Sequence, residues 1–325
     1  MHRLALLVVT CVGLVNAASA AVPPQEIVQG LYQGSCKGAK GEEKIEARVV
    51  AWGHGTYKVF VRQSLAEGKI AKIELDGKPD GDAIRFTGKS GSAAWTAVYA
   101  DGAIKGTCAQ TATLEMKRVV RESPTLGAKP PQGAIVLLDG KNFDNVTKKP
   151  LKDGSEQKWK LTDDGGIEVP KGGMNSKRQV PDSFKLHVEF KINLRPEARG
   201  QGRGNSGVYL PNGTEIQVLD SFGMTTYKGG GCGGLYAYKD PDAFDEFSLA
   251  SAPPLQWQTY DVEYRVQKKD GNLVGRPRVT VLHNGILIHD KAEPDRNARA
   301  GGFHFQDHGN PVQFRNIWVM PLEDK

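Results

Sequence analysis

The chain has 325 residues, more than one average domain. Its formal net charge is +6 at pH 7, and the basic and acidic residues are interspersed rather than gathered into a stripe. Because a nucleic-acid surface needs a basic stripe or patch, we do not expect nucleic acid as a partner. Beyond the N-terminal segment no apolar stretch is long enough to cross a bilayer, so we expect no membrane span.

The N-terminus has the pattern of a secretory signal peptide. His2 and Arg3 precede an apolar run over 4–15, and residues 18–20 supply the small side chains of a cleavage site. The run is shorter than the roughly 20 residues of a spanning helix, although a retained N-terminal anchor is the alternative. We therefore expect residues 1–20 to be removed and the protein to be secreted or periplasmic.

Residues 25–120 have the pattern of a small antiparallel β domain, for which the sequence indicates no role. Short apolar–polar alternations recur, and Asp76-Gly77 and Asp101-Gly102 are pairs that favour tight hairpin turns. Cys36 and Cys108 lie near the first and a late strand of this unit. Outside a reducing cytosol they could form a disulfide, but the sequence does not decide whether they pair.

A change in composition introduces a second unit. Residues 121–133 lack periodicity and contain three prolines and two glycines, which is typical of a semi-stiff linker. In 134–325, polar and apolar residues alternate over long stretches such as 184–192 and 260–266, and Asn284-Gly285 favours a type I′ hairpin. We expect two stacked antiparallel sheets, so the whole chain is predicted to be all-β.

Strand alternation selects a polar face in the second unit. Within 214–220, Ile216 and Val218 point to one side, while Glu215 and Gln217 point to the other. Carboxylates and amides bind hydroxyl groups, and an aromatic ring packs on the apolar face of a sugar, so such a face suits carbohydrate. An ordinary solvated sheet face is the alternative. The residues that alternation places on this face are Tyr209, Glu215, Gln217, His304 and Gln306.

Metal binding is a further hypothesis for one segment of the second unit. Asp307 and His308 follow His304 closely, and these side-chain types bind metal ions. The spacing matches no standard zinc pattern, and a plain turn is the alternative because Gly and Pro follow at once. The sequence requires no cofactor, and a divalent metal at Asp307 and His308 stays open.

Two glycine-rich loops and a cysteine complete the candidates. Arg199 and Arg203 lie in a polar loop that lacks the ending of a phosphate-binding loop, so they contact either substrate or solvent. The run 229–234 is either a lid or a tight bend that only glycine fits. Cys232 has no histidine near it in sequence, and we expect a buried or loop thiol rather than a nucleophile. No nucleophile elbow or His-Glu-x-x-His helix occurs, which disfavours serine hydrolases and metalloproteases.

A series of motifs, in order, closely resembles the 3-keto-disaccharide hydrolase domain over about 134–322. The resemblance implies a concanavalin-like jelly-roll β-sandwich acting on glycosides already oxidised at sugar carbon 3. The N-terminal β domain resembles extensions of some secreted bacterial members. The motifs are Gly204-Asn205-Ser206-Gly207-Val208-Tyr209, Glu215-Ile216-Gln217-Val218-Leu219-Asp220-Ser221, Trp257-Gln258-Thr259-Tyr260-Asp261, Val281-Leu282-His283-Asn284-Gly285 and the run from Gln306 to Val319.

The resemblance also implies roles for the polar residues. A ketone at carbon 3 acidifies the proton at carbon 2, so the enzyme needs a base and a donor or metal for the enolate oxygen. We expect Glu215 as the first candidate for the base and His304 as the second, with Asp307 and His308 supporting the enolate or a metal. The residues expected to bind substrate are Asn205, Tyr209, Gln217, Asp220, Gln306, Arg199 and Arg203.

Two other functions stay open at the level of sequence. A non-catalytic, lectin-like carbohydrate-binding protein fits the same architecture, because fold does not fix function. A structural envelope protein is the weaker third possibility, since it leaves the polar face unexplained. A buried carboxylate with a raised pKa would favour an enzyme, whereas an open aromatic platform would favour a binder. The sugar, the linkage and the oligomeric state are not determined by the sequence.

Overall fold

A computed structural model describes residues 22–39, 41–65, 68–224, 226–242 and 250–323. The proposed signal peptide lies outside the described residues. The all-β prediction is confirmed, because strands dominate and the helices described are short, such as α1 (Gln25–Val28). In the described ranges no helix has the length and apolar character to cross a membrane.

The N-terminal strands close into an antiparallel barrel, in which each strand pairs with the next and β1 also pairs with β8. Its interior is filled by side chains that include Tyr32, Tyr57, Phe86 and Trp95. A disulfide joins Cys36 to Cys108 and so ties the first strand to the seventh. The strands are β1 Gly30–Gly38, β2 Gly41–Gly53, β3 Thr56–Ser64, β4 Ile70–Asp80, β5 Ala83–Ser90, β6 Ala93–Ala100, β7 Ala103–Cys108 and β8 Ala112–Val119.

The hairpin predictions had different outcomes. Asp101-Gly102 forms the turn between β6 and β7, with φ of 50° and 77°. Asn284-Gly285 also forms a turn, with φ of 50° and 78°. The prediction for Asp76-Gly77 was wrong, because both residues lie inside β4. Glycine is required at position 77 because a Cβ there would lie only 2.5 Å from the Phe86 ring.

The second unit is a sandwich of two antiparallel sheets. The smaller sheet has the order β10-β13-β20-β15-β16, and the larger has the order β11-β12-β21-β14-β17-β18-β19, with β9 beside β21. Phe190, Val208, Tyr260, Phe305 and Phe314 belong to the apolar core of this unit. The strands are β9 Ile135–Leu138, β10 Val146–Lys148, β11 Lys160–Leu161, β12 Ile167–Glu168, β13 Met174–Ser176, β14 Phe184–Lys191, β15 Ser206–Tyr209, β16 Glu215–Val218, β17 Trp257–Lys269, β18 Asn272–His283, β19 Ile286–Ala292, β20 His304–Phe305 and β21 Gln313–Pro321.

The loop that leads into β15 rests on the barrel. The Arg199 guanidinium lies 4.0 Å from the centroid of the Trp52 ring and donates to the Trp52 carbonyl at 2.6 Å. Glu197 accepts a hydrogen bond from the backbone N–H of His54 at 2.8 Å. The chain touches the barrel again after β16, at Gly223, where a Cβ would lie 2.6 Å from Val50 Cγ2. The barrel therefore fixes the course of the chain just before the polar face.

The segment predicted as a linker lies on the outer face of the larger sheet. Thr125 Oγ1 donates to Asp261 at 2.5 Å, and the backbone N–H of Gly127 donates to Glu189 at 2.6 Å. His187 lies buried beside both carboxylates, with Nδ1 2.7 Å from Asp261 Oδ1. We call this group, formed by His187, Glu189, Asp261 and the docked segment, the linker clasp. His187 and Glu189 of β14 thus face a covering segment rather than water.

Candidate functional site

A row of polar side chains crosses the outer face of the smaller sheet. Strand register places Asn175 opposite His304, His304 opposite Tyr209, and Tyr209 opposite Glu215. Directly paired residues of neighbouring strands project to the same face, so these four side chains stand side by side. Their chain neighbours Val208, Phe305 and Ile216 point into the core. The alternation in the sequence therefore predicts the direction of Tyr209, Glu215 and His304 correctly, whereas Asn175 was not predicted.

Glu215 is a buried carboxyl at one end of the row, with 7% of its surface exposed. Burial raises its pKa to about 7, although a hydrogen bond from Tyr209 acts in the opposite direction. The side chain lies over Gly207, where a Cβ would be 2.0 Å from Glu215 Oε1. A carboxyl that changes protonation state near neutral pH can take up and release a proton during a reaction.

Tyr209 links Glu215 to the neighbouring strand. Gln306 Nε2 donates to the Tyr209 hydroxyl at 3.1 Å, so the hydroxyl proton is directed to Glu215. Burial raises the pKa of Tyr209, and the hydrogen bond to Glu215 raises it further. The phenol is therefore neutral at physiological pH and able to donate.

His304 is the next group in the row. Its Nδ1 lies 2.9 Å from Asn175 Oδ1, a pairing in which Nδ1 carries the proton and Nε2 keeps the lone pair. Burial and the positive charge of Lys149 lower the pKa of His304. The Tyr209 ring lies beside it, with centroids 5.4 Å apart. His304 is thus a neutral imidazole in contact with Tyr209, the residue that bonds to Glu215.

A cluster of carboxamides adjoins Glu215. Gln201 Oε1 accepts from Asn205 Nδ2 at 2.7 Å and from Gln217 Nε2 at 2.9 Å. Gln201 Nε2 in turn donates to the Gly230 carbonyl at 2.8 Å. The barrel-supported loop supplies Gln201 and Asn205, and β16 supplies Gln217. Asn205 and Gln217 were expected here, whereas Gln201 was missed because nothing in its loop indicates its direction.

Three amide oxygens of this region lack hydrogen-bond partners among the described residues. They are buried, and they belong to Asn205, Gln217 and Gln306. Buried polar atoms are rarely left unpaired, because desolvation without a hydrogen bond costs about 1–3 kcal/mol. Acceptors of this kind match the hydroxyl groups of a sugar or of ordered water.

The glycine run 229–234 lies against β16. Gln217 N donates to the Gly234 carbonyl at 2.9 Å, and Gly233 N donates to the Gln217 carbonyl at 2.8 Å. A Cβ at Gly234 would lie 2.5 Å from the Gly229 carbonyl. The structure thus favours the tight bend over the lid. Cys232 lies buried in the run, and burial raises its thiol pKa to about 11, as expected for an inert thiol.

Three residues expected to bind substrate have other partners. Arg203 and Asp220 are both buried, and Arg203 donates to one Asp220 oxygen at 2.7 Å and 3.0 Å. Arg203 also donates to the Ala51 carbonyl of the barrel at 3.3 Å. Arg199 is held by Trp52, as described above. Since these groups serve the junction between barrel and sandwich, we leave Arg199, Arg203 and Asp220 out of the site.

Asp307 and His308 do not fit a metal ion. The two oxygens of Asp307 accept from the backbone N–H groups of Gly172 and Gly309, each at 2.8 Å. His308 is exposed, and its carbonyl accepts from Asn310. Across the part of the chain that the structure describes, no three His, Cys, Asp or Glu side chains converge as metal ligands would. The segment forms a turn, which was the alternative, and we derive no step through a metal.

Tyr209 stands between two surface depressions, each of about 370 Å³. One contains Glu215, Tyr236 and Arg296, and the other contains His304, Asn175 and Arg299. The arginines come from the loop before β20, and sequence alternation does not reach them because that loop is irregular.

The comparisons with known proteins concern the second unit of the chain. The family model of the 3-keto-alpha-glucoside-1,2-lyase-like domain matches residues 133–320. A solved structure from Parabacteroides distasonis, of a protein provisionally described as a glycosyl hydrolase, is 31% identical over 59% of this chain and 85% of that chain, with a TM-score of 0.49. No protein of curated function matches the chain.

Proposed function

Because the chain belongs to the 3-keto-alpha-glucoside-1,2-lyase-like family, we propose that it cleaves the glycosidic bond of 3-keto-disaccharides and related 3-keto-glycosides. The family supports a glycoside-acting hydrolase or lyase as the general class. The specific reaction is proton abstraction beside the ketone, followed by loss of the group at carbon 1. The observation that carries the proposal is the buried carboxyl of Glu215, whose pKa is raised to about 7.

The proposed chemistry needs one base at the start. The ketone at carbon 3 makes the carbon 2 proton acidic, and Glu215 removes it. The resulting enolate expels the oxygen at carbon 1, and water then adds to the unsaturated product in the hydrolytic case. This route avoids an oxocarbenium ion, so it does not require the paired carboxylates of ordinary glycosidases.

Glu215 suits the role of base better than His304. Its raised pKa combines a sizeable ionised fraction at neutral pH with a greater proton affinity than an ordinary carboxylate has. His304 has a lowered pKa and is therefore the weaker acceptor. We assign Glu215 as the base and His304 as a neutral hydrogen-bonding group for the substrate.

The enolate oxygen needs a donor in the same depression. The Arg296 guanidinium is close enough to Tyr209 to stabilise the phenolate form of that residue electrostatically. It also lines the depression that holds Glu215. We assign Arg296 the role of stabilising the negative charge that develops on the enolate oxygen. A preorganised cation in a partly dehydrated site stabilises an oxyanion strongly.

The decisive experiment compares a 3-keto-disaccharide with its unoxidised parent. We expect cleavage of the keto sugar alone by the wild-type protein and loss of turnover in Glu215→Gln. Glu263→Gln is the matched control, because Glu263 is a partly exposed carboxylate on the larger sheet. Cleavage of the parent sugar at a similar rate would contradict the keto mechanism, and an active Glu215→Gln variant would remove Glu215 from the role of base.

If neither sugar is cleaved but one is bound, the same experiment indicates a lectin-like binding protein. The position of Glu215 favours the enzyme, because a sugar-binding platform does not need a buried carboxyl with a raised pKa. Isothermal titration of both sugars, read beside turnover, separates the two functions.

The proposal places the working protein outside the reducing cytosol. The disulfide between Cys36 and Cys108 supports this location, because such bonds persist in oxidising compartments. Intact-mass analysis of protein recovered from the periplasm or medium tests the location. A chain that begins at Ala21 supports it, whereas retention of residues 1–20 in a cytosolic product contradicts it.

A further inference from the structure

The two depressions beside Tyr209 are equal in volume and different in chemistry. The one with Glu215 holds a titrating carboxyl and the cation of Arg296. The other is walled by Leu210, Pro211 and Phe303 and carries Asn175 and Arg299 at its edges. Tyr209 and Gly213 line both of them, so the depressions meet along a shared boundary.

Both arginines reach this shared boundary at Gly213. A Cβ built on Gly213 would lie 3.3 Å from Arg296 Nη1 and 3.3 Å from Arg299 Nη2. Arg299 is held in place by its Nε, which donates to the Pro211 carbonyl at 2.8 Å. Gly213 thus leaves room for a pair of guanidinium groups, one for each depression.

We propose that this cleft binds a two-ring substrate across Tyr209, with the keto ring beside Glu215 and the departing sugar beside His304 and Arg299. The inference rests on the proposed function for the choice of ring. The carbon 2 proton must reach Glu215, which places the keto ring in that depression. Carbon 1 is bonded to carbon 2, so the bond that breaks lies close to Glu215, and we place the departing sugar in the adjoining depression across Tyr209.

The same placement makes Tyr209 the proton donor to the departing sugar. Glu215 takes the proton from carbon 2, the bond between carbon 1 and the glycosidic oxygen breaks, and that oxygen takes the phenolic proton of Tyr209. Protonated Glu215 then returns a proton to Tyr209 through their hydrogen bond. One proton passes from carbon 2 to the leaving group, no external acid is consumed, and both side chains regain their starting states.

The arginine pair provides a matched test of the two subsites. The substrates are a 3-keto-disaccharide and the methyl 3-keto-glucoside, which lacks the second ring. Arg299→Ala should raise the KM of the disaccharide about tenfold and leave that of the methyl glycoside unchanged, whereas Arg296→Ala should impair both substrates. Arg276→Ala, an exposed arginine on β18 of the other sheet, is the control. Equal effects of Arg299→Ala on both substrates, or no effect on either, would overturn the assignment of the second subsite.

The role of Tyr209 is tested with leaving groups of different basicity. A departing sugar needs a proton, whereas 4-nitrophenolate leaves without one. Tyr209→Phe should therefore lower kcat on the disaccharide by about 100-fold, a typical acid–base contribution, and lower kcat on the 4-nitrophenyl 3-keto-glucoside by less than about tenfold. Equal losses on the two substrates would show a merely structural role and overturn the assignment.

A failure of the proposed function can be told apart from a failure of the subsites. If the wild-type protein cleaves no 3-keto sugar, the proposed reaction is refuted. Binding measurements then test the two-ring cleft independently of the reaction. In the Glu215→Gln background, isothermal titration should show that Arg299→Ala weakens binding of the disaccharide about tenfold and leaves binding of the methyl glycoside unchanged. Equal binding of the two sugars that does not respond to Arg299→Ala would overturn the two-ring cleft whatever the reaction.

Discussion

At the scale of single residues, the proposed base Glu215 should make turnover depend on pH. Its pKa of about 7 arises from burial, and as a base it acts only when ionised. We expect kcat/KM to rise with pH and to level off above about 7. A pH–rate profile on the keto substrate measures this. A profile that is flat between pH 5 and 8 would contradict the assignment.

The contribution of Glu215 to stability should change with pH in the opposite direction to its activity as a base. Glu215 titrates near 4.5 when unfolded and near 7 when folded, so the folded protein binds this proton more tightly. Its contribution to the free energy of unfolding therefore falls as pH rises from about 4.5 to about 7. Glu215→Gln lacks this titration. The Tm of the variant minus the Tm of the wild type should therefore be a few degrees larger at pH 8 than at pH 5. Thermal unfolding at both values checks this, and a constant difference would argue against a raised pKa.

Gly207 controls the position of the same carboxyl. A methyl group there would lie 2.0 Å from Glu215 Oε1 and would push the side chain aside. Gly207→Ala should reduce kcat/KM by about 100-fold, since displacements near 1 Å are that costly in an active site. Gly38→Ala is the control, because among the described residues its methyl group would meet Ala112 alone. Wild-type activity in Gly207→Ala would show that the carboxyl has freedom that the structure does not indicate.

How far sequence predicts the site depends on where each residue lies. Tyr209, Glu215 and His304 stand on strands, where a period of two fixes the face, and the structure brings them together. Arg296 and Arg203 stand in irregular loops, where no period indicates direction. Arg203 turns inward to Asp220, while Arg296 turns toward the polar row, and only tertiary packing distinguishes the two.

At the scale of elements, the linker clasp shows a charge network that holds a segment without regular structure. Burial alone would raise the pKa of Glu189, but the adjacent His187 imidazole and hydrogen bonds from Asn316, Arg315 and the Gly127 N–H hold it at about 2. His187 has a raised pKa, because the hydrogen bond to Asp261 and the nearby Glu189 carboxylate outweigh its burial. The composition of the linker predicts a loose connection, whereas its backbone N–H and hydroxyl groups find buried partners on β14 and β17.

Breaking this clasp should loosen the linker and leave the site on the opposite sheet intact. Glu189→Gln removes a buried charge that faces His187 and Arg315, a change that costs about 3 kcal/mol. Tm should fall by several degrees and protease should cut within 121–133 sooner, while kcat/KM at 20 °C changes little. Glu263→Gln, at a partly exposed pair, should stay within about 1 kcal/mol of the wild type. An unchanged rate of proteolysis would show that Glu189 does not secure the segment.

At the scale of the whole molecule, the barrel supports a loop of the sandwich. Its pattern of short strands and turns predicts a small antiparallel domain, and the register of β1 with β8 closes that domain into a barrel. No local pattern predicts the contacts between the two units, because they join residues such as Trp52 and Arg199 that are far apart in the chain. The loop held there also carries Gln201, so the barrel positions one member of the amide cluster.

The junction between barrel and sandwich should make the two units unfold together. Arg203 is fully buried, donates to Asp220 in the sandwich and donates to the Ala51 carbonyl in the barrel. We expect a single calorimetric transition in the wild type. Asp220→Asn leaves the guanidinium without its counter-ion at a cost of about 3–5 kcal/mol, so the sandwich should melt first and the disulfide-linked barrel later.

A surface pair supplies the comparison for this experiment. Asp182→Asn removes a partly exposed partner of Lys268 and should keep the single transition within about 1 kcal/mol of the wild type. Two transitions already present in the wild type would mean that the units are energetically independent. In that case the Arg203–Asp220 pair would stabilise only the sandwich, and the barrel would have no part in holding Gln201 against Gln217.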